Sequence, residues 1–286
     1  MISDITLGQF FPGFSPIHKL DPRTKIVLAT LFIVTVFIAN NPLTLAFLGL
    51  VTAIIILMSR ISFKVIFKAI KPLAFIFAFT AILNLFLTKG EGEPLVSFWR
   101  LTIYEEGIVR ALFMFFRVII FILSSTVLLT YTTSPISLTD GLESLMAPLK
   151  KIKVPVHSFA MLMSIALRFI PTLVEETEKI MNAQKSRGAD FSSGGLIKRA
   201  KALIPILIPL LGSAFNRADE LATAMECRCY RGDKNRTKLV KLEYKRIDAI
   251  FAISFILILV AVIMLGTMPY KADVTSPIYK IFFYKI

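Results

Sequence analysis

Cysteine and histidine are almost missing from this chain: 286 residues hold two of each. The two thiols, Cys227 and Cys229, lie one residue apart, so no disulfide framework can frame the fold. Neither has a His or a further Cys nearby, and they do not read as a metal pair. His18 and His157 stand isolated in the sequence. Acids are scarce as well, 19 against 33 Lys and Arg, for a net charge of +14. No carboxylates pair in a cleft-like setting, and no nucleophile stands with a base and an orienting group. No G-x-x-x-x-G-K-[ST] stretch occurs, so the chain carries no P-loop for nucleotide. Catalysis by this chain is therefore not expected, nor a cofactor or metal of its own. The opening "MISDITLGQFFPGFSPIHKLDPRTK" lacks the charged, apolar and small-residue succession of a cleaved leader, and is expected to stay on the mature chain.

What is abundant is apolar surface: 56% of residues are hydrophobic and the mean hydropathy is +0.73. A soluble domain is rarely so apolar and a disordered chain never is. Such apolarity coexists with strong positive charge when the two are segregated, as in a membrane protein with a basic cytoplasmic side. The basic residues flank apolar runs and form no separate polar domain, which argues against nucleic acid as a partner. The bilayer is the expected surrounding.

Five apolar runs read as spans: 26–40, 43–59, 72–88, 107–131 and 248–268. The first is short and must recruit its flanks. Lys19, Arg23 and Lys25 precede it, and the stretch 60–71 carries Arg60, Lys64, Lys68 and Lys71 with no acid. The loop 89–106 is net acidic through Glu91, Glu93, Glu105 and Glu106. Positive residues near short loops set orientation. The N-terminus, 60–71 and 132–247 are therefore expected inside, in the cytoplasm, and 89–106 outside. Lys271, Lys280 and Lys285 weakly oppose an outside C-terminus. The expected fold is an all-α membrane protein with about five transmembrane helices and long amphipathic cytoplasmic helices. It divides into residues 1–131 (spans one to four), 132–247 (cytoplasmic) and 248–286 (span five and tail).

The cytoplasmic segment is no ordinary polar loop. "VHSFAMLMSIALRFIPTLVEETEKIMNAQKSRG" begins apolar and turns amphipathic after Pro171; "IKRAKALIPILIPLLGSAFNRADELATAMECRC" does the same after Gly212. Their apolar parts are short for a span, and Pro171, Pro205 and Pro209 are expected to break them. With Arg187 set over Arg228, Ala183 meets Ala224, Glu178 meets Asp219, Thr172 meets Ser213 and Ile180 meets Leu221. Two similar helices suggest two similar docking places. Each ends in one arginine among small residues, Ser186 and Gly188 around Arg187, Cys227 and Cys229 around Arg228. A cation at a helix C-terminus followed by Gly is an ordinary helix ending. Its repetition, and the rigid guanidinium fork that pairs with carboxylates, point further, to a firm link with a partner.

At these residues the sequence resembles the transmembrane T component of energy-coupling factor (ECF) transporters, the EcfT family related to the CbiQ proteins. "AQKSRGADF" looks like the first Ala-Arg-Gly motif of that family, "AMECRCYRG" like its second, and "SPIHKLDPRTK" like its N-terminal signature. Ser186 and Cys227 replace the family's alanines and Cys229 its second glycine, while both arginines remain. The resemblance implies a vitamin or metal-ion importer in which two ABC-type ATPase subunits, which bind the ATP, take the cytoplasmic coupling helices into their grooves. Ser186, Arg187, Gly188, Cys227, Arg228 and Cys229 would be the ATPase-binding residues. A small substrate-binding S component would sit against the membrane face, and would set the substrate.

The alternative is an autonomous secondary transporter with a substrate site near Arg117, deep in the fourth run; Arg110 lies nearer its outer end. For Arg117 a tie to a carbonyl or helix end is the favoured role. Asn84 is expected to bond between helices, His18 to pack at a helix entry, and the methionines at 161–163 to pack. A carrier should repeat across its spans, whereas the repeat here is cytoplasmic.

Overall fold

The structure, a computed structural model, describes residues 10–87, 96–98, 101–189, 191, 195–232 and 242–267. Its chain separates into two compact units, residues 9–134 with 242–286, and residues 1–8 with 135–241.

The first unit is a helical bundle. It contains α1 (Pro22–Ile38), α2 (Pro42–Ser59), α3 (Phe63–Ile70), α4 (Ala74–Leu87), α5 (Glu105–Ser125) and α9 (Arg246–Thr267). Pro stands in the first turn of α1 and of α2, where no backbone N–H is missed. The Asp21 carboxylate caps α1 by accepting from the Arg23 N–H at 2.9 Å. A short hairpin, β1 (Val96–Phe98) and β2 (Leu101–Ile103), lies between α4 and α5. Residues 89–95 and 99–100 of the acidic loop, and the tail lysines, fall outside the described residues.

Among the described residues five helices are long and apolar enough to cross a membrane: Pro42–Ser59, Lys64–Leu85, Gly107–Tyr131, Val156–Ser186 and Arg246–Gly266. Four coincide with expected spans. The fifth, by length and composition, is the first of the two arginine-tipped helices. The first expected span, α1, has 17 residues and falls just short in length. It is nonetheless central to the packing: Phe32 and Val36 are buried with Leu48 of α2, Phe113 and Ile120 of α5, and Phe255 and Val262 of α9. In lipid such contacts form by close fit rather than by expulsion of water. A Cβ at Gly107 would come within 3.1 Å of the Leu85 carbonyl oxygen, so α5 starts tight against α4 only because that residue has no side chain.

Two polar devices hold the bundle. Arg117 donates to the carbonyl of Ala39, the residue that ends α1, and its guanidinium lies 4.7 Å from the Phe113 ring centre. This is the expected tie to a helix end, where a cation meets the negative pole of the helix. The second is a knot built on the N-terminal signature. Lys25, 2% exposed, donates to the carbonyls of Thr132 (2.7 Å) and His18 (3.3 Å). Asp248, 3% exposed, accepts from the backbone N–H of Asp21 (2.8 Å) and of Lys245 (2.7 Å). Thr132 follows a π-helical turn, Thr126–Tyr131, that ends α5. The knot thus joins the entry of α1, the end of α5 and the start of α9.

His18 packs at the helix entry as expected. Its Nε2 faces the Phe11 carbonyl at 2.9 Å and its Nδ1 faces Ser15 Oγ at 2.7 Å. A carbonyl can only accept, so Nε2 carries the proton and the neutral ring accepts from Ser15 at Nδ1. Burial pushes the His18 imidazole below its ordinary pKa, outweighing the Phe11 carbonyl, which raises it. Asn84 departs from its expectation: its amide donates to Thr80 O on its own helix, at 2.8 Å, one turn back, and among the described residues it bonds no neighbouring helix.

Replacing Lys25 by Leu removes the donor from two carbonyls and a cation that the carboxylates of Asp248 and Asp21 attract. Unmet buried acceptors cost about 1–3 kcal/mol each. Thermal unfolding of the detergent-purified Lys25→Leu chain is expected at least several degrees below wild type, with unchanged helicity below the transition.

Candidate functional site: two arginine-tipped helices

The second unit holds α6 (Pro135–Leu145), a 3-10 turn (Ala147–Ile152), α7 (Val156–Ser186) and α8 (Leu196–Cys227). His157, expected to be isolated, is paired: its Nδ1 lies 3.0 Å from Glu143 Oε1 and joins the start of α7 to α6. The expected breaks at the prolines are absent. Helix α7 runs 31 residues through Pro171, and α8 runs 32 residues through Pro205 and Pro209. Each proline forfeits one backbone bond, and the long turns on either side carry the helix through.

Both helices end in the same way. In α7, Arg187 is the C-cap and Gly188 takes the left-handed conformation, φ +86°. The Gly188 N–H reaches Lys185 O at 2.9 Å and the Ala189 N–H reaches Gln184 O at 3.0 Å. In α8, Arg228 is the C-cap and Cys229 sits at φ +54°. The Cys229 N–H reaches Glu226 O at 2.8 Å and the Tyr230 N–H reaches Met225 O at 3.0 Å. Each is a complete Schellman ending, with paired 5→2 and 6→1 bonds that satisfy the last carbonyls. Cys229 therefore occupies the glycine position in glycine geometry, against the steric preference of an L-residue. That settles the helix-end geometry the sequence left open. Ser186, Arg187, Gly188, Cys227, Arg228 and Cys229 are all exposed. Among the described residues neither the Arg187 nor the Arg228 guanidinium has a hydrogen bond or ion pair.

The two helices meet at equivalent points. Arg217 of α8 donates from Nη2 to Glu176 Oε2 of α7 at 2.7 Å, and the two residues are 41 apart in sequence. The same offset relates Arg187 to Arg228 (228 − 187 = 217 − 176 = 41). The repeat therefore touches itself at one of its own paired positions. Ser213, the counterpart of Thr172, accepts from Arg217 Nε at 3.4 Å. From this contact each arginine lies eleven residues along its helix, about 16 Å at 1.5 Å per residue. Two levers of equal length leave one junction, and each ends in an exposed guanidinium. Sequence reasoning missed the Glu176–Arg217 tie, although its signal was present as opposite charges at matched positions of the repeat.

A family model described as cobalt transport protein, CbiQ, matches residues 13–239. The chain belongs to the CbiQ family. Within it, the chain is 53% identical over 250 residues to the energy-coupling factor transporter transmembrane protein EcfT of Ruminiclostridium cellulolyticum, covering 87% of this chain and 92% of that one. It is 46% identical over 258 residues to the EcfT protein of Bacillus subtilis, covering 90% and 97%. This CbiQ-family member is thus a transmembrane component of an ECF-type transporter. In its fold Arg117, the centre of the alternative carrier reading, is already engaged with Ala39.

Two measurements probe the site. Cys229→Gly should relieve a left-handed L-residue, a gain of about 1 kcal/mol; Gly188→Ala should lose a similar amount. Amide hydrogen exchange at Tyr230 and Ala189, whose N–H groups close the two endings, is expected to slow in the first variant and quicken in the second. For the junction, Glu176→Gln and Arg217→Gln are each expected to lower the thermal midpoint only slightly, as for a partly exposed pair. The exchanged pair Glu176→Arg with Arg217→Glu should recover part of the loss. A double-mutant cycle with zero coupling energy contradicts the tie.

Proposed function

We propose that this chain is the coupling subunit of an ECF-type importer: it passes ATP-driven motion of two ABC-type ATPase subunits to an S component that binds a vitamin or other micronutrient. The observation that carries the reading is the pair of exposed arginines, presented by identical helix endings on two levers of equal length. In this reading Arg187 and Arg228 each meet a carboxylate in an ATPase groove, and Ser186, Gly188, Cys227 and Cys229 keep the approach open by being small. A largely desolvated pair of that kind costs about 2–5 kcal/mol when one side is lost. Two equivalent anchors suit a pair of alike ATPases.

The residues 132–247 are then cytoplasmic, with 1–131 and 248–286 forming the membrane part and the N-terminus inside. Helix α7 is apolar enough to cross by composition, but its distal half carries Glu175, Glu176, Glu178 and Lys179, and Glu176 is bonded to α8. Such a helix lies against its partner helix at the cytoplasmic side. ATP is bound by the partner subunits, and this chain does no chemistry. The names of the EcfT relatives, which are transporter membrane components, agree with such a role.

Arg187→Glu combined with Arg228→Glu is expected to leave membrane insertion intact and to abolish co-purification with the ATPase subunits. Recovery of those subunits at wild-type yield contradicts the assignment. Each single variant should weaken recovery less than the double.

A further inference from the structure

Between Lys64 and Leu85 the helix α3, a 3-10 turn (Lys71–Leu73) and α4 follow one another without a gap. Lys64, Lys68, Lys71, Phe75, Phe79 and Ile82 recur there in steps of three and four residues, the spacing of a single helix face. The three lysines are exposed; Phe75 is 77% exposed, Phe79 54% and Ile82 53%. The rings of Phe75 and Phe79 stack, 12° from parallel with centroids 6.4 Å apart, so the two share one face. The other side of α3 is occupied: Ile66 is buried with Ile56, Val127 and Tyr131. Residues 60–71 contain no acid.

The outward stripe is therefore cationic at one end and aromatic or aliphatic at the other. From Lys71 to Ile82 is eleven residues, about 16 Å of helix at 1.5 Å per residue. The hydrocarbon of one leaflet is about 15 Å deep, half of the roughly 30 Å core. The stripe has the polarity and the length of one phospholipid. We propose that it is a binding site for an anionic phospholipid of the leaflet at its basic end. The headgroup phosphate sits among Lys64, Lys68 and Lys71, and an acyl chain lies along Phe75, Phe79 and Ile82. Three ammonium groups without a carboxylate among them demand negative charge opposite them, which a zwitterionic headgroup does not supply on balance.

Native mass spectrometry of the full chain in mild detergent, with phosphatidylglycerol or phosphatidylcholine added, tests this. Wild type is expected to retain phosphatidylglycerol about tenfold better. Lys64→Gln, Lys68→Gln and Lys71→Gln together should reduce that retention about tenfold, while the matching Lys→Arg triple keeps it. Phe75→Ala with Phe79→Ala should lower retention with the lysines intact. Equal retention of the two lipids by wild type, or wild-type retention by the Gln triple, overturns the proposal. Should the Gln triple fail to fold, a salt titration of wild type decides. Retention must then fall steeply between about 0.05 and 0.5 M salt, where screening shortens to a few ångströms, and salt-independent retention overturns the proposal.

Discussion

The contact between Glu176 and Arg217 sets the geometry on which the proposed coupling role depends. Two helices of some thirty residues each have no fixed separation at their tips unless something pins them to one another. Here the pin joins matched positions of a sequence repeat, so the arms beyond it are equal. The Schellman endings then fix where each chain turns away, leaving Arg187 and Arg228 outermost. Both residues are exposed, and among the described residues neither guanidinium is bonded, so each keeps its pairing capacity.

In the helical bundle of α1 to α5 and α9 the problem is different. Cations and carboxylates near lipid must be held internally, and the N-terminal signature does this. Lys25 and Asp248 are almost fully buried, and every bond that holds them runs to backbone groups at chain entries and exits. Arg117 acts likewise at the end of α1. These residues look like functional suspects in a sequence, since an ionisable group in an apolar run commonly is one. Their partners show that they bind the scaffold together instead.

Much of this was legible in the residues. Four of the five long apolar helices are the runs that composition marks, because hydropathy over twenty residues leaves few alternatives. Gly188 announced the end of α7, and the offset between the arginines announced a repeat. What stayed hidden depends on tertiary contact. Pro171, Pro205 and Pro209 read as breaks but are absorbed within long helices. Asn84 found an acceptor one turn away on its own helix before it could reach another. His157 gained Glu143 from α6, fourteen residues earlier. Cys229 read as a departure from glycine, yet its backbone adopts the glycine conformation, since the bonds from its own N–H and from Tyr230 outweigh the steric cost.

The central claim is that Arg187 and Arg228 are contact points for motor subunits. The most direct measurement places a photo-crosslinking amino acid at each position in turn, in membranes of cells that make the whole transporter, and identifies the adducts by mass spectrometry. The account predicts an ABC-type ATPase subunit attached at both positions. Adducts to lipid alone, or to no ATPase from either position, would contradict it.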